Sequence, residues 1–394
     1  MAIANNIWKL YLIRISKWFM LFMPIVVLFF QSNGLYLRDV MLVNAVYALT
    51  VAVFEIPSGY FSDKLGRKNA LIIGTFLVLL QFVSYSLSYT FLGFAIGAIF
   101  GGIGVSFISG TDSALLYDTL VVMNKKKDYV KWEGRSYAIG TFAEAVAAII
   151  GGWIAYRYGM RMTIYGQVGI SLLGVLVATT LVEPPIITEV PKDNWKHLQQ
   201  ILKETLFANQ RLLFYLILSM IVGLACLLLA WFVQSYLEYQ QVPAANMGTW
   251  WAVLNLTVAL FSAQAYLLEQ HISRRKMVGG LLLILIIGFV LLFLTTSNWV
   301  VGTVVLLVMY AARGVAVPVF ANLINQEISS DRRATVLSIK GFGIRLTFAI
   351  LAPILGWIAD VFTILETFLA LGIIIGIFTI MSLAFYSLCL RGNN

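Results

Sequence analysis

Eight ionisable side chains sit inside long apolar runs of this 394-residue chain. Arg14, Glu55, Asp112, Asp118 and Glu144 fall in the first half, and Arg313, Lys340 and Arg345 in the second. If those runs lie in a membrane, each charge costs roughly 2.5–3.5 kcal/mol to insert, so it faces a cavity or a partner. Two kinds of chemistry follow. Desolvation penalises an anion, so a carboxyl group in an apolar cavity can load a proton on one side and release it when the cavity opens elsewhere. Glu55 and Asp112 are the candidates for that exchange. Equally open is a fixed ion pair with Arg14 that only holds the first, second and fourth apolar segments together. A guanidinium, by contrast, binds carboxylate or phosphate through two parallel hydrogen bonds. Arg313 stands in Ala312-Arg313-Gly314 with Pro318 following, and a mid-segment arginine beside helix breakers fits a ligand-facing position; an interhelical salt bridge is the alternative. Arg14, Glu144 and Arg345 are further ligand-binding candidates. Lys340 lies nearer a segment end, where a long side chain reaches the interface.

The elements that position these groups are read from hydropathy. Hydrophobic residues make up 60% of the chain and charged residues 11%, against roughly 25% charged in soluble domains, and the mean hydropathy is +0.89. The pattern predicts an all-α integral membrane protein with about 12 spans in two six-helix bundles, because a span needs about 20 apolar residues. The first runs over about 10–33 and the second over about 40–58. Residues 69–111 hold 43 positions without a charge, enough for the third span and most of a fourth ending near 120, with a polar turn at 84–90. The fifth and sixth cover about 136–156 and 162–182. Residues 1–183 form the first bundle. Residues 184–210 form a cytoplasmic linker, in which Pro184, Pro185 and Pro191 end the membrane helix and an amphipathic surface helix follows Asp193. Residues 211–394 repeat the rhythm as a second bundle. Gly152-Trp153-Ile154-Ala155 recurs as Gly356-Trp357-Ile358-Ala359, an internal echo of the two halves.

Charge sets the orientation. Of the 27 Lys and Arg residues, 19 fall at one set of loops and ends, while Arg38, Arg157 and Arg161 fall at the other. Short loops rich in Lys and Arg stay inside, so both termini are expected in the cytoplasm and the protein in the cell inner membrane. The net charge of +9 is then topology plus attraction to anionic lipid, not a sign of nucleic-acid binding. Cys226 and Cys389 lie in apolar segments and form no disulfide or metal spacing. His197 and His271 are placed in cytoplasmic connections, so no span carries a histidine and a proton relay has to use carboxylates. No metal site and no enzymatic nucleophile–base pair is expected, and the first apolar stretch lacks a cleavage pattern.

Gly59-Tyr60-Phe61-Ser62-Asp63-Lys64-Leu65-Gly66-Arg67-Lys68 reads as a short charged loop between the second and third spans, with Asp63 one turn before Arg67 and close enough to pair. Gly59, Asp63, Gly66, Arg67 and Lys68 resemble the signature that the major facilitator superfamily carries at this place. The resemblance implies a fold in which the solute site lies between two rocking halves, a gate role for this loop, and Asp118 as the gate partner of Arg67 and Asp63. Two positions depart from patterns within that superfamily. Ala98 stands where many proton-coupled members have an arginine before Gly102-Ile103-Gly104, and Ala147-Ala148 stands where drug/proton antiporters have Gly-Pro before Gly151-Gly152. The expectation is a monomeric secondary active transporter of a small organic solute, driven by a proton gradient without a cofactor. Acids in one half and arginines in the other point to a zwitterionic or anionic solute. An exporter of cationic amphiphiles and a non-transporting membrane sensor on the same fold are the alternatives.

Overall fold

The computed structural model describes residues 3–185, 209–294, 299–328 and 333–391. The expected amphipathic linker helix after Asp193 lies outside the described residues, as do His197, Asp331 and Arg332. Twelve helical segments are long and apolar enough to cross a membrane, and no strand occurs among the described residues.

In the first half α1 is Asn6–Trp18, α2 Val26–Ser32, α3 Leu37–Leu65, α4 Arg67–Leu87, α5 Phe91–Ile108, α6 Thr111–Val122, α7 Tyr129–Tyr158 and α8 Met160–Thr179. In the second, α9 is Gln210–Tyr239, α10 Ala244–His271, α11 Arg274–Leu294, α12 Trp299–Gln326, α13 Arg333–Val361 and α14 Ile364–Arg391. The chain divides into two compact units, Met1–Val190 with Val242–Ala252, and Pro191–Gln241 with Val253–Asn394. The echoed tetrapeptides fall near the ends of α7 and α13, and both Trp153 and Trp357 face outward.

Within the first unit α4 packs on α5 and α8, α3 on α5, and α1 on α6, α7 and α8. Small residues make the close contacts, as is usual where lipid removes the hydrophobic drive between helices. A Cβ on Gly102 would lie 2.7 Å from Thr50 of α3, and one on Gly104 would lie 2.7 Å from the Gly74 carbonyl of α4. The Gly102-Ile103-Gly104 pair therefore lets α5 approach two helices at once. At one end of this unit Ile7, Leu10, Tyr11 and Ile13 of α1 pack with Leu71, Leu115, Leu116, Leu120 and Leu181 in a buried apolar cluster. In the second unit α14 packs on α9 and α11, and α9 also meets α12 and α13. Leu212, Leu216, Ile324, Ile328 and Val336 form its buried cluster.

Three details differ from the sequence reading. The first span is not one helix: α1 stops at Trp18, Met23–Ile25 forms a 3-10 turn, and α2 resumes at Val26. Pro24 contributes no N–H to this stretch, and the freed N–H of Leu21 donates to the Gln167 side chain at 3.0 Å. An apolar setting demands such a partner. The fourth span is broken as well, at Gly110, whose φ is +81°. Lastly, the expected loop Gly59–Lys68 is almost entirely helical. α3 runs through Gly59 to Leu65, and a single residue, Gly66 (φ +89°), joins it to α4.

The two motif glycines therefore have opposite mutational signs. Gly66→Ala forces a side chain into a backbone region nearly reserved for glycine, at about 1–3 kcal/mol, and pushes toward Glu183, whose Cδ would lie 3.2 Å from the new Cβ. Gly59 has open space at its Cβ position and sits inside a helix, where alanine gains roughly 0.5–1 kcal/mol. Thermal unfolding of the detergent-solubilised variants should show a lowered midpoint for Gly66→Ala and an unchanged or raised one for Gly59→Ala. Equal losses would mean that the turn spans both glycines.

Candidate functional site

The first unit brings charges from three helices to one point. Arg14 of α1, 9% exposed, reaches Asp112 of α6 at 3.1 Å and Glu133 of α7 at 3.0 Å with the same Nη2. Ser113 completes the group: its backbone N–H donates to Asp112 Oδ1 at 2.9 Å, and its hydroxyl donates to Glu133 Oε1 at 2.8 Å. The break at Gly110 places Asp112 in the first turn of α6, where free N–H groups and the helix dipole favour an anion. Two atoms of the group are buried without a hydrogen-bond partner, Arg14 Nε and Glu133 Oε2. Tyr11 strengthens the joint by donating its hydroxyl to the Trp132 carbonyl at 3.0 Å. Arg14 thus ties the first span to the fourth and fifth. Glu55 is half buried on α3. Glu144 is half buried on α7, one turn beyond Gly140, where α7 meets the stem of Arg14 and the Trp18 ring.

A second constellation surrounds the α3–α4 junction. The Arg67 guanidinium forms an ion pair with Asp118 of α6 and donates to the Ala114 carbonyl at 2.6 Å. The Glu183 carboxylate, just past α8, accepts from the backbone N–H groups of Arg67 at 2.8 Å and Lys68 at 2.6 Å. It caps the start of α4, satisfying donors that a helix leaves open. Asp63, by contrast, is exposed, and among the described residues no ion pair joins it to Arg67. The helical i,i+4 geometry expected for Asp63 and Arg67 is lost because Gly66 turns the chain between them.

The second unit holds a cavity of about 300 Å³ among α9, α12 and α13. Arg313 and Lys340 line it together with Ser219 and Cys226. No acidic residue is in its wall, and among the described residues Arg313 makes no ion pair; its guanidinium carbon lies 5.5 Å from the centre of the Tyr310 ring. The hydroxyl of Ser219 is buried and unpartnered. Arg345, on α13, is half buried and is not part of this wall. Lys340 does not simply reach for the interface: it shares the cavity with Arg313.

Residues 10–263 and 232–388 match the sequence profile of the Major Facilitator Superfamily. The chain belongs to that superfamily. It is 22% identical, over 349 residues, to an uncharacterized MFS-type transporter of Methanocaldococcus jannaschii, with 86% of each chain covered. It is 27% identical, over 337 residues, to the inner membrane transport protein YajR of Escherichia coli, covering 82% of this chain and 70% of that one. Among solved structures, a mutant of the nucleoside transporter NupG superposes with a TM-score of 0.81 at 15% identity, covering 96% of this chain and 99% of that one. The protein is thus a multi-pass membrane transporter with the Major Facilitator Superfamily fold.

Two residues in this superfamily member escape a reading of hydropathy. Glu133 falls in the basic stretch 124–135, which reads as loop, yet α7 already begins at Tyr129. The signal was helical spacing: Ser136, Gly140, Ala143 and Ala147 are the buried face of α7, and stepping back one turn gives Trp132 and Glu133. Glu183 precedes Pro184 and carries no such periodicity, so only the fold reveals its role as a cap.

Proposed function

We propose that this transporter is a proton-coupled carrier of a small organic anion or zwitterion, working by alternating access in the cell inner membrane with both termini in the cytoplasm. One observation supports the solute class above the others. The wall of the cavity in the second unit carries two cations, Arg313 and Lys340, a spare hydroxyl and no acid. An unpaired guanidinium in a membrane span is costly, and a solute carboxylate or phosphate would offset that cost on binding. Coupling is assigned to the acidic groups of the first unit, which include Asp112, held by Arg14, and the half-buried Glu55. Arg67, Asp118 and Glu183 form the gate region. The placement of Lys and Arg along the chain supports the orientation, and the protein is expected to act as a monomer.

The test is a thermal-shift screen of the purified full-length protein against carboxylates, amino acids, nucleosides, nucleotides and quaternary-ammonium amphiphiles. A ligand at a hundred times its Kd stabilises by about 2.7 kcal/mol, well within detection. Anionic or zwitterionic hits should then accumulate in proteoliposomes under an imposed proton gradient. Stabilisation by cationic amphiphiles alone would overturn the solute class, and accumulation that ignores the gradient would overturn proton coupling.

A further inference from the structure

We infer that Glu133 is the group in the first unit that takes up and releases a proton, and that its protonation frees α7 from Arg14; as a coupling step this rests on the proton-driven reading above. The two acids differ in how their oxygens are engaged. Asp112 has both oxygens engaged, Oδ2 by Arg14 and Oδ1 by the Ser113 N–H. A proton there would take the charge out of both contacts at once, one of them at the start of a helix. Glu133 has only Oε1 engaged, by Arg14 and the Ser113 hydroxyl, while Oε2 is buried and bare.

One proton added to Oε2 therefore breaks no contact of Oε2, and Oε1 can still accept from Ser113. What changes is the bond to Arg14, which falls from an ion pair to a contact with a neutral acid, roughly half as strong. Arg14 keeps Asp112, so α1 stays tied to α6 and only its hold on α7 weakens. The charged and titratable groups facing this point include Tyr11, Arg14 and Lys17 of α1, Asp112 of α6, and Tyr129 and Arg135 of α7 itself. Arg135 is drawn over the Trp132 ring, 5.5 Å from its centre. Arg14 Nε, also buried and unpartnered, leaves the guanidinium a donor in reserve as it changes partners.

The experiment uses the proton as the only ligand. Infrared difference spectra between acid and neutral pH are taken on the full-length protein in lipid vesicles. The parent should show a protonated-carboxyl component that Glu133→Gln removes and that Glu133→Asp shifts but keeps. A Glu133→Gln spectrum that superposes on the parent would overturn the inference. Glutamine keeps the Oε1 acceptor, and the aspartate variant controls for folding because it restores the band. Loss of the band with Glu133→Gln, in a parent whose solute uptake ignores an imposed proton gradient, would uphold titration at Glu133 while overturning the coupled reading of the transporter.

Discussion

Arg313→Gln should weaken the binding of an anionic solute by about 100-fold while leaving the thermal midpoint of the empty protein unchanged or slightly raised. Hydrogen bonds to charged groups contribute roughly 1.5–3 kcal/mol each, and a guanidinium offers two in parallel. Glutamine returns one weaker donor, so the net loss is about 3 kcal/mol, or two powers of ten. The fold has little to lose, because Arg313 makes no ion pair among the described residues and its guanidinium lies beside the Tyr310 ring. Arg313→Lys keeps the charge without the planar fork and should fall between, at about tenfold. Titration by thermal shift with the tightest anion from the screen reads all three. An Arg313→Gln protein that binds this anion as the parent does would remove the cavity from the transport path.

The opposite signature is expected at Arg14. Arg14→Gln leaves Asp112 and Glu133 facing each other in a buried site, and stripping one partner from a buried ion pair costs roughly 3–5 kcal/mol. Neutralising all three, as Arg14→Gln with Asp112→Asn and Glu133→Gln, should recover most of that, because no uncompensated charge remains. The measurement is the unfolding midpoint of single and triple variants in the same detergent. A single variant that melts with the parent would show that the cluster contributes nothing to the fold. A triple variant no better than the single would show that the loss comes from packing of the Arg14 stem against Gly140 and not from charge. Arg14 and Arg313 are both arginines in apolar spans, yet one is a tie between helices and the other lines a cavity and makes no ion pair among the described residues. That difference lies in their partners alone.

Hydropathy and the placement of Lys and Arg are sums along the chain, so the sequence could yield the twelve spans, the halves of similar size and the superfamily motif. Along the chain Arg14 could pair with either Glu55 or Asp112, and the family resemblance implied Asp118 beside Arg67 and Asp63; the folded chain joins Arg14 to Asp112 and Arg67 to Asp118. The helix joining Glu133 to that first pair was hidden by the basic residues around it, which mark a cytoplasmic end whether or not the backbone is coiled.

The order of residues was enough for the number of crossings, the placement of the charges and the family resemblance. Tertiary structure alone decided who meets whom: that Arg14 holds Glu133, 119 residues away, that Glu183 caps a helix 116 residues earlier, that Asp63 turns to the surface, and that Lys340 joins Arg313. The reason is physical. Burial is set by composition within one segment, whereas an ion pair forms only where two helices cross. That crossing depends on glycine contacts and helix breaks that leave little trace in a hydropathy profile.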